Sequence, residues 1–364
     1  MYGLPPDQWK EISFRKRAIA QLSRCLPGPA RLKFCGLPSG LVSVTAAGAA
    51  VEELEKRGEE GLYRVPHGWV WSRGGQLDEH ARIVNEISTG VNRPPAWWFV
   101  RRQAFFPKVV DCPGTVFSMS GDTAENLYHW TFDVLPRLRM LDPARRAQVR
   151  VLARLKYPFN RASLEAAGFP PDSIIPAEPM TLYRTDELLA ASVVRGITPA
   201  NFACAREIYL KAAGPVPAPS TPVRLYISRA KATSRKIVNE AELEEELRQR
   251  GFRIAFFEEL PFAEQLALIS QAEIIVSAHG AAWTLVVVAR PGTPAIEILP
   301  AGLEAEDPGS YHLFRNLCHE AGLDYRAHHG EAVLHKSETQ KAHQNDIRVS
   351  IAKFLDEIDG CLKR

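Results

Sequence analysis

The sequence predicts an α/β protein of two domains, each a sheet wound with helices, on three observations. Strand-like and helical segments alternate regularly from Val223 to Leu299. A noisier strand–helix–strand rhythm runs from Val109 to Val194. Between them lies Gly214–Pro222, GPVPAPSTP, whose four prolines suit neither a helix interior nor a central strand. The chain of 364 residues has room for two such domains. The domains are therefore expected at 1–213 and 223–340, joined by a linker at 214–222. Residues 341–364 are expected to form a helix that packs back on the first domain, with Ile347, Ile351, Phe354, Leu355 and Ile358 at helical spacing.

In the second domain, Val223–Ser228 (VRLYIS) reads as a strand. Asn239, with Glu242 three residues on, matches a capping box for a helix over Glu240–Arg250, and Gly251 supplies the stop. Arg253–Phe257 is the next strand. Phe262, Leu266 and Ile269 mark a helix over Phe262–Gln271. Glu273–Ser277 is a third strand, Gly280–Ala289 a third helix and Ala295–Leu299 a fourth strand. In the first domain, Val109–Phe117 is a strand interrupted by Pro113-Gly114, and Asp122–Leu141 is a long helix. Val149–Ala153, Asn160–Ala167, Ile174-Ile175 and Leu182–Val194 continue the alternation. The chain before Val109 gives few signals.

Composition narrows the function. Hydrophobic residues at 46% and charged residues at 24% fit a folded core and exclude wholesale disorder. Lys+Arg 45 against Asp+Glu 42 leaves +3, too little for a dedicated nucleic-acid binder. The longest apolar run, Ala281–Ala289, falls far short of the roughly 20 residues of a spanning helix. No secretory signal, glycosylation sequon or C-x-x-C pair is found, and the six cysteines are scattered, so a reducing cytoplasm is expected. Gln8–Arg24 mixes Trp9, Ile12, Phe14, Ile19 and Leu22 with five cations. It reads either as a helix packed on its domain or as a basic amphipathic helix touching the inner face of a membrane.

Four places carry chemistry. Arg224–Lys236 (RLYISRAKATSRK) holds five cations and no acid, and four of them follow the first strand of the second domain. That is the ligand-binding edge of an open α/β sheet, where Arg and Lys suit phosphate oxygens. The alternative is a solvated loop paired with the acidic helix that follows. Ser277-Ala278-His279-Gly280-Ala281-Ala282 lies where a strand gives way to a helix, and small residues there let N–H groups approach an anion. Glu297 interrupts the apolar strand AIEIL and would accept ribose hydroxyls, unless it faces water on an edge strand. In Asn126–Asp133, the residues Asn126, His129, Asp133 and Arg137 fall on one helical face. His129 and Asp133 there form either a base with its orienter or part of an ion-pair ladder.

Familiar motifs are missing: G-x-G-x-x-G, the P-loop, G-x-S-x-G, H-E-x-x-H and Asp-x-Asp. Six of the ten histidines lie from His312 to His343 without metal-site spacing and are expected mostly at the surface.

Taken together, SRAKATSRKIVNEAELEEELRQRGF, EELPFAEQLALISQAEIIVSAHGAAW, PGTPAIEILP and the upstream NLYHWTFDVLPRL resemble glycosyltransferase family 61 over about Gly121–Pro300. Many members carry HGAGL-x-N where this chain continues Ala282-Trp283-Thr284-Leu285. The resemblance implies a GT-B-like fold, two Rossmann-like domains facing across a cleft. It implies an inverting transferase that uses a nucleotide-sugar, most often a UDP-sugar, without a metal or other cofactor. Bacterial members act in capsular or other surface polysaccharide synthesis, on saccharide or lipid-linked saccharide acceptors. On this pattern Ser228, Arg229, Arg235, Asn239, His279, Gly280, Ala281 and Glu297 bind the donor. Asn126 and Trp130 face the acceptor. Asp133 is the first choice for the general base, His129 the second and Glu125 a distant third. Two other readings stay open: a non-catalytic nucleotide-sugar-binding member of an assembly complex, and a GT-B-like epimerase.

Overall fold

The structure, a computed structural model, describes residues 43–49, 51–72, 74–80, 82–88, 108–121, 123–179, 181–215, 223–232, 234–333 and 345–363. The basic segment 8–24 and most of the linker, 216–222, lie outside these residues. The chain forms two compact units. The first comprises 1–125, 133–160 and 168–194; the second comprises 126–132, 161–167 and 195–364. The mixed α/β character expected from the sequence is present in both.

Among the described residues the first unit holds a ten-stranded mixed sheet. Its strands are β1 (Ser43–Val44), β2 (Glu52–Arg57), β3 (Glu60–Pro66), β4 (Trp69–Trp71), β5 (Gly75–Leu77), β6 (Ile83–Val84), β7 (Lys108–Ser118), β8 (Arg150–Ala153), β9 (Ile174–Pro176) and β10 (Thr181–Ser192). β10, β7, β8 and β9 form a continuous parallel run, and β1 pairs parallel with β6. The weakly patterned early segments add β3 and β4 antiparallel to β10, so this sheet departs from a purely parallel winding. β7 is continuous through Pro113-Gly114. A bulge opposite Thr185–Glu187 absorbs the missing proline N–H, and the Gly114 N–H donates to Asp186 Oδ2 at 2.7 Å.

The long helix expected over 122–141 is broken into three pitches. Asn126 caps α1 (Leu127–His129), Trp130–Val134 widens to π-type turns, and Leu135–Met140 tightens to a 3-10 helix. Pro136 explains the change, because it has no N–H to give the Phe132 carbonyl one turn back. The Asn201 side-chain amide donates to that carbonyl instead, at 3.2 Å. The predicted face of Asn126, His129, Asp133 and Arg137 is lost with the regular pitch. Arg137 is buried and donates to the Ser120 carbonyl. Two further helices, α2 (Pro143–Arg146) and α3 (Pro158–Ala166), complete this stretch.

The second unit continues with α4 (Pro199–Ala213), β11 (Val223–Ile227), α5 (Glu240–Gln249), β12 (Phe252–Ala255), α6 (Phe262–Gln271), β13 (Ala272–Ala278) and β14 (Pro294–Pro300). α7 (Leu303–Glu306), α8 (Pro308–Glu320), β15 (Asp324–Val333), β16 (Asp346–Arg348) and α9 (Ile351–Leu362) follow. Gly280–Ala289, expected as an α-helix, is a 3-10 helix over Ala281–Val288. The six strands are ordered β12-β11-β13-β14-β15-β16, parallel except for β16. The order reverses between β11 and β13, because the chain leaves β11 first to one side and then to the other. In open α/β sheets the ligand crevice lies outside the carboxyl ends of strands at such a switch point.

Alternation along the strands puts Tyr226, Ile274, Val276, Ile296 and Ile298 on one face. Leu243 and Leu247 of α5 and Phe354, Leu355 and Ile358 of α9 pack on them. The C-terminal helix is thus part of this unit's own core. Of the expected face, Phe354, Leu355 and Ile358 lie on this helix, which begins only at Ile351, while Ile347 lies on β16; what the helix covers is the adjacent parallel sheet. The Asn239 side chain clasps this return by donating to the Val349 carbonyl at 2.9 Å and accepting its N–H at 3.1 Å. His328, among the histidines expected mostly at the surface, is buried on β15 with Nδ1 2.9 Å from Glu357 Oε2.

Candidate functional site

The switch point brings together the basic loop after β11 and the His279-Gly280 turn after β13. Of the five cations in the loop region, Arg224 pairs with Glu273 and Lys231 with Glu259. Arg229 and Arg235 have no carboxylate at ion-pair distance among the described residues. Each has a buried Nε without a hydrogen-bond partner. Burial pulls the Arg229 guanidinium below its usual pKa, opposed by Glu258 and Glu240. Arg235 is pulled down to about 10, first by burial and then by the neighbouring charge of Arg229, against the pull of Glu297. Two half-buried like charges side by side are unfavourable alone and favourable around an anion. Among the described residues Arg235 is also one of two non-glycine residues at positive φ, at 59°. A bulky residue there carries backbone strain, which gathers at functional sites.

The loop is held from below by Glu240, at the start of α5. Its Oε1 accepts from Tyr226 Oη at 2.8 Å, Ser228 Oγ at 2.8 Å and the Arg229 N–H at 2.9 Å. Ser228, expected to touch the donor, is therefore committed inward. Asn239 makes no side-chain cap on α5, so the capping box expected of it is absent, and its amide is held by the Val349 backbone. The Arg229 guanidinium lies across Gly280, with its Nη2 donating to the Ser234 carbonyl at 3.1 Å.

A Cβ on Gly280 would stand 2.2 Å from Arg229 Nη1. The obstructing atom ends a flexible side chain, so Gly280→Ala is expected to fold normally while displacing the guanidinium. UDP affinity should fall about tenfold, with the melting temperature nearly unchanged. Calorimetry beside a thermal melt checks this, and unchanged affinity would remove Gly280 from the site.

His279 is 4% exposed, and its Nδ1 is 2.7 Å from Glu297 Oε1. Tyr325 Oη donates to Glu297 Oε2 at 2.8 Å. Burial, then the Glu297 carboxylate, pushes the Tyr325 pKa up, so the hydroxyl keeps its proton. Glu297 is fully buried with both oxygens engaged by protein groups. The ribose contact expected of it gives way to orienting His279. With Nδ1–H directed at the carboxylate, Nε2 is the imidazole nitrogen left for a ligand. Ala281 opens the 3-10 helix, whose first N–H groups have no partner within it. Neither Tyr325 nor the Glu297–His279 pairing was visible in the sequence, because β15 carries no clear period there.

The upstream motif is mainly structural. Asn126 Oδ1 accepts the N–H groups of Tyr128 and His129 at 2.9 and 3.3 Å. Trp130, expected to face the acceptor, is fully buried, with Nε1 donating to Ser163 Oγ at 2.9 Å. His129 is half-buried in the second unit, and Asp133 is half-buried in the first. Glu125 pairs with Lys156 and Arg154, and hydrogen bonds from both hold its carboxyl below the usual range. That makes it a poor base. Among the described residues no group of three or more His, Cys, Asp or Glu stands where it could hold a metal ion. No described helix is long and apolar enough to cross a membrane.

Comparison with curated proteins found no match. The family model described as Glycosyltransferase 61 matches residues 127–296, a little under half of the chain, running from α1 into β14 and spanning both the basic loop and the His279 turn. That match supports glycosyltransferase family 61, and with it a glycosyltransferase activity.

Proposed function

We propose that the crevice at β11 and β13 binds a nucleoside-diphosphate sugar, foremost a UDP-sugar, and that the chain transfers the sugar with inversion. The observation that carries this is the pair Arg229 and Arg235 at the topological switch point, desolvated, adjacent and, among the described residues, without a carboxylate at ion-pair distance. Two guanidinium groups can hold a diphosphate by several charge-assisted hydrogen bonds. In the reaction an acceptor hydroxyl oxygen bonds to the anomeric carbon as the carbon–oxygen bond to the β-phosphate breaks. The electron pair leaves on that phosphate oxygen. The arginines, the N–H at Ala281 and the His279 Nε2 side answer the growing charge, a task that a preorganised site does well. This neutralises the leaving group without requiring a divalent cation.

A base must take the acceptor proton. Asp133 is the proposed base, with His129 second. Asp133→Asn should lower transfer at least about a hundredfold while UDP binding stays as in the wild type. Transfer that survives both Asp133→Asn and His129→Gln would end this assignment. The wider reading is a GT-B-like enzyme of surface or capsular polysaccharide synthesis, working in the cytoplasm on a saccharide or lipid-linked saccharide. Titrating UDP and a panel of UDP-sugars in EDTA, by calorimetry, tests the core of it. No binding of any nucleotide-sugar would overturn it.

A further inference from the structure

In the Asn126–Thr131 stretch Asn126 caps α1, Trp130 bonds Ser163, and Thr131 bonds Tyr209 at 2.6 Å. Tyr128 differs. Its ring is half-buried and walls a cavity of about 630 Å³, within the size range of small-molecule pockets. Ile197 and Leu313 supply apolar wall, and His312, Asn316 and Glu320 line it from α8. These three recur every four residues, so they share one face of that helix. The cavity lies close to the candidate site. The Tyr128 ring meets Phe314 edge-on at 6.3 Å, and Phe314 lies 5.0 Å from the His279 ring. One aromatic ring separates the cavity wall from the imidazole.

The charge around it selects against a phosphate. Asp307 already caps α8, accepting the Ser310 N–H at 3.1 Å, so the helix N-terminus is answered by a carboxylate. Glu304 stands 4.0 Å from His312, Glu320 is in the lining, and among the described residues no Lys or Arg is. An aromatic face, an amide that both donates and accepts, an imidazole and a carboxylate suit a ring with one apolar face and many hydroxyls. We infer that this cavity is a subsite for a neutral pyranose, with Tyr128 as its platform and Asn316 as its central hydrogen-bonding group. The sugar has two sources, the one being transferred from the donor or the terminal one of the acceptor. The inference rests on the reading that a nucleotide-sugar binds beside it.

Asn316 is exposed on a helix, so Asn316→Ala and the cavity-filling Asn316→Trp should both fold, which a thermal melt checks. The probes are UDP, UDP-glucose and UDP-N-acetylglucosamine by calorimetry, and a printed saccharide array. A donor-sugar subsite predicts about tenfold weaker UDP-sugar binding in both variants with UDP unchanged. An acceptor subsite predicts unchanged binding of UDP and UDP-sugars with loss of array signal in Asn316→Trp. If Asn316→Trp matches the wild type on every probe, or the wild type shows neither a UDP-sugar preference over UDP nor an array signal, the subsite is overturned. Failure of UDP itself to bind would instead strike the proposed function, and the array would still decide the subsite.

Discussion

Arg235→Ala is expected to raise the melting temperature of the ligand-free protein and to weaken UDP binding about a hundredfold. Both effects have one cause. The guanidinium sits half-buried beside the like charge of Arg229, which is why its pKa falls to about 10. A base whose folded value lies below its unfolded value penalises the folded state wherever both forms are protonated. Stability from this group rises only as pH climbs from about 10 toward the value of an exposed arginine, because the folded protein releases the proton first. At neutral pH the full penalty is present, and removing the side chain removes it. A diphosphate removes it too, by supplying the missing counter-charge, so UDP should raise the melting temperature of the wild type. Melts with and without UDP, for both proteins, give the four numbers needed. A variant that melts lower and still binds UDP as tightly as the wild type would contradict the account.

Glu297 should show the opposite balance. Glu297→Ala strips the partner from His279 Nδ1 and from the Tyr325 hydroxyl inside a fully buried site. The cavity and the two stranded polar groups together should cost about 3–5 kcal/mol, seen as a large fall in the melting temperature. Glu297→Gln is the more informative change. Its amide oxygen can still accept from His279, and its NH2 can donate to a rotated Tyr325 hydroxyl, so both hydrogen bonds survive and only the charge is lost. The fold should hold while UDP-sugar turnover falls by about ten- to a hundredfold, because the imidazole loses the carboxylate that supports it as charge builds on the phosphate. Equal turnover in Glu297→Gln and wild type would reduce the carboxylate to a structural filler.

The winding of the second unit was legible because each strand there is short, apolar and bounded by an obvious helix signal. Phe262–Gln271 is the clearest case, found with its predicted bounds. The position of Arg229, Arg235 and His279 at strand ends was legible for the same reason. What the side chains do there was less so. Ser228, Asn239 and Glu297 are polar residues at ligand-binding edges, and sequence cannot tell such a residue from one that turns inward to hold the edge in shape. Ser228 answers Glu240, Asn239 answers Val349, and Glu297 answers His279 and Tyr325. Their partners lie 12 to 110 residues away. The antiparallel half of the first sheet was hidden by its short strands, three residues each in β4 and β5. The broken helix was half legible, since Pro136 announces a change of pitch without saying that Asn201 would take the freed carbonyl.

The chain's repeated passage between its two units has a cost during synthesis. Residues 126–132 and 161–167 belong to a unit whose remainder begins only at Arg195. α1 packs against the 3-10 helix at Ala281–Val288, about 150 residues later in the chain. At about 5–20 residues per second, a ribosome delivers that partner roughly 8–30 seconds after Trp130 has been made. Until then this indole has no finished core to enter. The nascent protein must carry an exposed aromatic segment through that interval, so its yield should depend on chaperones more than the regular winding of its later half suggests.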